Sequence, residues 1–264
     1  MAKASLNFPI SSKLGNYSVY TMKGVDKVIL RSKGGPSSEQ IESDPAFAFM
    51  RQNMSEFGGC GKASARVMDV CYGIKHLADY NFSGTITKVC KIIMKTDSGI
   101  TGTRAILFSK YGGLLEGFNL NKVNTFDAVV RQSPTVIFSR TDLKATLEFP
   151  DYYPDVNFIT PWKFPIYRFI IVFGIIPDMI FNGKGYAPAN SQMTFNPMQY
   201  RTDWINTSVQ NLKFSHEIRL EDGTILDDTG TLAVSVGIEF GRVITNSIIE
   251  PVKYAGCGKI LGVG

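Results

Sequence analysis

The sequence predicts an α+β protein in three parts: an N-terminal β-hairpin arm over residues 1–35, a helical segment over 36–113, and a C-terminal antiparallel, Ig-like β-sandwich over 114–264. Three observations carry this. Apolar residues recur at steps of three and four between Pro36 and Thr96, the period of one helix face. After about Leu114, short β-branched and aromatic runs alternate with turn residues, the pattern of an antiparallel sandwich. Between the first β-rich runs and the helical stretch stands Gly34-Gly35-Pro36, which breaks a strand because proline cannot continue the ladder.

After an irregular lead, Asn16–Met22 and Asp26–Ser32 flank Lys23-Gly24-Val25, a hairpin signal. Tyr17, Val19, Val28 and Leu30 alternate with polar positions. A lone hairpin is marginal in water, so this one needs a surface, either elsewhere on the chain or on a neighbouring subunit.

Helix starts are written locally. Ser37 stands three residues before Gln40, the spacing of a capping box. Asp44-Pro45 is a second start, with the carboxylate as N-cap and proline at the first helical position. Phe47, Met50, Met54 and Phe57 then form an apolar stripe, with Arg51 on another face. Gly58-Gly59 and Gly61 interrupt this helix and imply a bend or a close contact. A helix resumes at Lys62 with Val67, Val70, Cys71 and Ile74 on one face. Ser83 caps a further helix carrying Ile86, Val89, Cys90 and Ile93, with Lys88, Lys91 and Lys95 on its solvated side.

Gly34-Gly35, Asp44-Pro45-Ala46-Phe47, Arg51, Asn53, Glu56-Phe57-Gly58 and Gly61-Lys62-Ala63 resemble an N-terminal motif of a family of Bacteroidetes proteins without an established activity. Leu114–Asn119 and Gly237–Phe240 are similar to the same family. The resemblance implies a shared layout and carries no catalytic site.

Expected strands of the C-terminal part are Leu114–Leu120, Thr135–Arg140, Ala145–Phe149, Tyr167–Phe173, Ile175–Phe181, Ser208–Ile218, Thr231–Phe240 and Lys259–Val263, with Asp222-Gly223 and Asp228–Gly230 as turns. Phe164–Phe181 is long and apolar, but Pro165, Arg168, Pro177 and Asp178 argue against a spanning helix. Two buried strands broken at Gly174 or Pro177 fit better, and such strands must be central or covered. The Tyr152–Trp162 loop before them is rich in proline and aromatics, a composition suited to an interface.

Composition and motifs bound the chemistry. A net charge of +5 permits an anionic partner without demanding one, because no run of basic residues exceeds a pair. Cys60, Cys71, Cys90 and Cys257 lack the close pairing of a zinc site and read as buried free thiols in a reducing compartment. The first fifteen residues hold no apolar run of the signal-peptide kind, which places synthesis in the cytoplasm. Gly59–Ser64 lacks the spacing of a phosphate loop, with Glu56 and Ala63 at two of its defining positions. His76 and His216 have no partner in sequence. No catalytic residue, cofactor or metal ligand is therefore assigned.

The leading expectation is a non-enzymatic structural protein, a self-assembling subunit of a tube, filament or shell, with itself as partner. Its contacts are expected at the hairpin (Tyr17, Val19, Val28, Leu30), at the helix after Pro45 (Arg51, Glu56) and at the aromatic loop (Tyr152, Tyr153, Trp162). The alternatives are a β-sandwich binding module for carbohydrate, protein or nucleic acid, with Lys88, Lys91 and Lys95 as a phosphate-facing edge, and an enzyme whose site is assembled from distant residues.

Overall fold

The computed structural model describes residues 12–14, 17–21, 27–32, 34–193, 195–245 and 248–264. The expected turn Lys23-Gly24-Val25 lies outside the described residues, as do residues 1–11. Two compact units form, residues 1–51 and 52–264.

In the first unit, β1 (Ser12–Leu14), β2 (Tyr17–Thr21) and β3 (Val28–Ser32) make an antiparallel meander in that order. The expected hairpin thus gains a third strand from the segment read as irregular, with Ser12 opposite Val19. Both expected helix starts form. The side chain of Ser37 accepts from the Gln40 amide (3.1 Å) and that of Gln40 accepts from the Ser37 amide (2.8 Å), opening α1 (Ser38–Ser43). Asp44 Oδ1 accepts from the Ala46 amide at 2.8 Å, starting a 3₁₀ turn, Pro45–Phe47, that leads into α2 (Ala48–Asp69). Arg51 donates to the carbonyls of Ile41 and Asp44 at 2.6 and 2.9 Å, closing the otherwise open end of α1.

Helix α2 corrects two expectations. It runs unbroken through Gly58, Gly59 and Gly61, and its buried face is Glu56, Gly59, Cys60, Ala63, Ser64 and Val67. Met54 and Phe57, expected on the core side, are 55% and 69% exposed. The reason is steric: a Cβ on Gly59 would stand 2.6 Å from ring carbons of Tyr186, so this face is small because an aromatic ring lies on it. Around Gly58 and Gly61 there is open space. We expect Gly58→Ala to stabilise the protein by up to about 1 kcal/mol and Gly59→Ala to destabilise it by about 1–3 kcal/mol, because the ring must move. Urea denaturation of the two variants checks the opposite signs.

A 3₁₀ turn, Tyr72–Leu77, and α3 (Ser83–Lys95) follow. Val67, Val70, Cys71 and Ile74 are fully buried, as are Ile86, Cys90 and Ile93, as their spacing predicts. Ser83 is the first residue of α3 and not its cap; its hydroxyl donates to Asn81 Oδ1 at 2.7 Å. Short helices α4 (Phe108–Tyr111) and α5 (Phe126–Val129) punctuate the next stretch. Leu114–Leu120, expected as a strand, is instead the end of a 3₁₀ turn and a loop that bridges Lys259 through Asn119.

The remaining strands are β4 (Thr135–Ser139), β5 (Lys144–Phe149), β6 (Ile166–Pro177), β7 (Met179–Phe181), β8 (Tyr186–Pro188), β9 (Met198–Arg201), β10 (Ile205–Asn206), β11 (Phe214–Arg219), β12 (Gly230–Thr245) and β13 (Ile248–Val263). All the pairings are antiparallel. The central sheet runs β10-β6-β12-β13, with β9 also on β6; a second sheet runs β11-β5-β4, and β7 pairs β8. Strand β6 does not break at Gly174 but continues to Pro177, paired with β12 along its whole length.

Two cores explain its composition. Ile170, Val172 and Ile176 of β6 pack with Val67, Val70, Ile74 and Ile86 of the helical layer. Phe169, Ile171 and Phe173, from the opposite face, pack with Leu147 and Phe149 of the second sheet. The central sheet is therefore buried on both faces, which is why β6 reads as a continuous apolar run and not as an alternation. The body has three layers, helices, central sheet and second sheet, where the sequence suggested a sandwich beside a helical segment. Among the described residues, no helix is long and apolar enough to cross a membrane.

Candidate subunit-contact surfaces

The meander positions four of the expected contact residues together. Val19 pairs Leu30 and Thr21 pairs Val28, with Tyr17 opposite Ser32. Directly opposed residues share a face, and so do residues two apart, so Tyr17, Val19, Val28 and Leu30 lie on one side of the sheet. Tyr17, Val28 and Leu30 are 48%, 46% and 61% exposed. None of the described residues from 17 to 51 is buried.

The other expected contacts separate. Arg51 is half-buried and committed to the carbonyls that end α1. Glu56 is not at a surface: it is fully buried, and its carboxylate is used inside its own unit. Tyr152 is buried too, its ring 5.6 Å from that of Phe169. Tyr153 is exposed, and Trp162 is half-buried against Phe240 at 5.1 Å.

A surface the sequence reading missed lies at the end of the central sheet. Beyond Gly241, β12 has left β6 and, among the described residues, pairs with β13 alone, forming a two-stranded ribbon. Val243, Ile244 and Ile248 on it are about half exposed. Between Glu239–Gly256 and Gly241–Pro251, four residues of β13 face one of β12, a bulge that turns out Tyr254, 84% exposed and at φ 63°. The signal was legible in part, since the β-branched pairs Val243-Ile244 and Ile248-Ile249 follow closely after Phe240.

Three charged clusters fix the body. Arg104 donates through Nε and Nη2 to the two Glu56 oxygens at 2.7 and 2.8 Å, while Lys91 Nζ and the Gly102 amide add bonds of 2.5 and 2.9 Å. The Arg104 hydrogen bonds foremost hold the carboxyl down at about 2. Lys91 is thereby drawn inward, which leaves only Lys88 and Lys95 of the expected phosphate-facing edge exposed. Glu239 receives Arg168 Nε at 2.7 Å and pairs with His76 Nε2 at 2.7 Å, while the guanidinium of Arg168 lies over the Trp204 ring. Burial pushes the Glu239 carboxyl up, but the bonds from His76 and Arg168 outweigh it and leave it below the usual range.

The third cluster places Lys259 Nζ 2.5 Å from Asp127 Oδ1 and 2.8 Å from Ser133 Oγ. A lysine activating this serine would have to accept its proton; here the hydroxyl donates to Asp127 instead, at 2.9 Å. Likewise no hydroxyl or thiol is hydrogen-bonded to His76 among the described residues, so the histidine–carboxylate pair has no nucleophile in line. All four cysteines are free and buried, and burial pushes the thiols of Cys60 and Cys71 up to about 11 and about 12. Thiols so shifted are poor nucleophiles. Among the described residues, no group of three or more His, Cys, Asp or Glu could hold a metal ion. No family model, curated protein or solved structure matches the chain.

Proposed function

We propose that this chain is a non-enzymatic structural subunit that assembles with copies of itself, each copy donating its N-terminal arm to the next. The observation that carries the reading is that residues 17–51 adopt strands and a helix with no buried residue among those described. Ordering each residue costs about 1–2 kcal/mol of backbone entropy, and apolar burial is the main term that offsets such a cost. An arm without a core takes that burial from elsewhere.

The acceptor in this reading is the β12–β13 ribbon. Over Ile248–Pro251, β13 pairs with β12 on one side only among the described residues, and Val243, Ile244, Ile248 and Tyr254 are exposed there beside the charged Arg242, Glu250 and Lys253. An open strand edge of this kind is a template for strand addition. Strand β3 is likewise open on its outer side. Donor and acceptor are different surfaces, so the contact is heterologous and propagates into a ring, tube or filament.

Light scattering behind a sizing column, with negative-stain microscopy of the same fractions, tests the proposal. Multiples of 29.2 kDa with regular particles are expected; a monomer across a wide range of concentration and salt would refute it.

A further inference from the structure

We infer that the cleft bounded by Phe158, Trp162 and Phe164 binds a neutral saccharide. The cleft has a volume of about 550 Å³ and lies within the unit 52–264. Small-molecule sites span roughly 300–1,000 Å³, so the space suits a short sugar.

Its apolar walls are held from behind. The Trp162 ring packs on Phe240, and Phe158 packs on Tyr167 at 4.4 Å, which in turn meets Phe169 edge-on at 5.7 Å. This chain of rings runs into the core; Phe158 is itself buried at its floor, so the apolar surface open to the cleft comes from the half-buried Trp162 and Phe164, held in place from behind. An aromatic face is the negative part of the ring quadrupole and attracts the C–H face of a sugar.

The rim supplies the polar half. Asp155, Lys163 and Thr160 line the cleft. Asp155 sits at φ 60°, in the left-handed region that aspartate adopts more readily than most residues with a side chain. It is held there by the hydrogen bond its N–H donates to the Phe158 carbonyl at 3.0 Å and by the Asn157 side chain, which accepts from the Tyr153 amide at 2.7 Å. Neither the Asp155 carboxylate nor the Lys163 ammonium has a hydrogen bond or ion pair to the protein among the described residues. A purely apolar ligand would cover these two charges without satisfying them. A ligand of one charge would match one and oppose the other. A ring of hydroxyls donates to Asp155 and accepts from Lys163 while stacking on the aromatics.

The test is ligand-observed saturation-transfer NMR on the full chain with glucose, galactose, N-acetylglucosamine and cellobiose, followed by titration calorimetry of any that respond. At least one is expected to bind at millimolar concentration. Trp162→Ala should weaken it by about tenfold or more. Asp155→Gly, which keeps the left-handed backbone and removes only the carboxylate, should weaken binding while leaving the melting temperature unchanged or raised. No response to any of the four sugars, binding indifferent to Asp155→Gly, or a proline-rich peptide binding in their place would each overturn the inference.

Discussion

A chain lacking residues 1–33 is expected to fold and to run at the mass of a single copy. The body keeps both of its cores in the truncated protein, because every residue of both clusters lies between Cys60 and Val263. Its stability should change by no more than about 0.5 kcal/mol, while association is lost. Leu30→Asp makes the same point without a deletion, since the side chain is 61% exposed and a charge on an open edge blocks pairing. The head-to-tail arrangement adds a sharper expectation. An arm-less chain can accept but not donate, so a small fraction mixed with intact protein should shorten the polymers. A chain carrying Ile248→Lys can donate but not accept, and mixing it with arm-less chains should stop at pairs. Polymers of unchanged length in the first mixture would remove the arm from the mechanism.

Glu56→Ala should be among the most destabilising single changes in the body. The substitution deletes four bonds at once and leaves Arg104 and Lys91 facing each other without their counter-charge. Removing one partner of a buried pair costs about 3–5 kcal/mol; the cationic ends here are 18% and 29% exposed, which favours the lower figure. Unfolding in urea measures it, and a double-mutant cycle with Arg104→Ala should show coupling between the two sites.

The same carboxylate sets an acid limit. Its folded value of about 2 lies below the ordinary 4.5, so the stabilisation is fully present above 4.5 and is lost as pH falls through about 2. That depression corresponds to on the order of 3 kcal/mol, trimmed to about 2 kcal/mol by solvent at the lysine and arginine ends. Burial pushes the carboxyls of Asp127 and Glu239 up, but hydrogen bonds from Lys259 and Ser133 and from His76 and Arg168 outweigh it and leave both lowered, so they act in the same direction. Glu56→Gln should flatten the acid limb of stability; an unchanged limb would mean that the carboxyl is not held down.

Local physics was legible in the residues. The Ser37–Gln40 box, the Asp44-Pro45 start, the core spacing of Val67 to Ile74 and of Ile86 to Ile93, the strands expected over Thr135–Arg140 and Ala145–Phe149, and the buried free cysteines follow from capping, periodicity and side-chain type. Each acts over a few residues of chain. Tertiary structure decided which face of α2 is buried: Met54 and Phe57 make the stronger apolar stripe, yet the glycine and alanine face wins because the Tyr186 ring, 127 residues away from Gly59, lies on it. It also decided that Glu56 binds Arg104 and that His76 binds Glu239, 48 and 163 positions apart. Charges and small residues are compatible with many partners, and only the approach of distant segments selects one. What covers each face of β6 has the same origin: its continuous apolar run marks burial on both faces, but not that helices supply one cover and the second sheet the other.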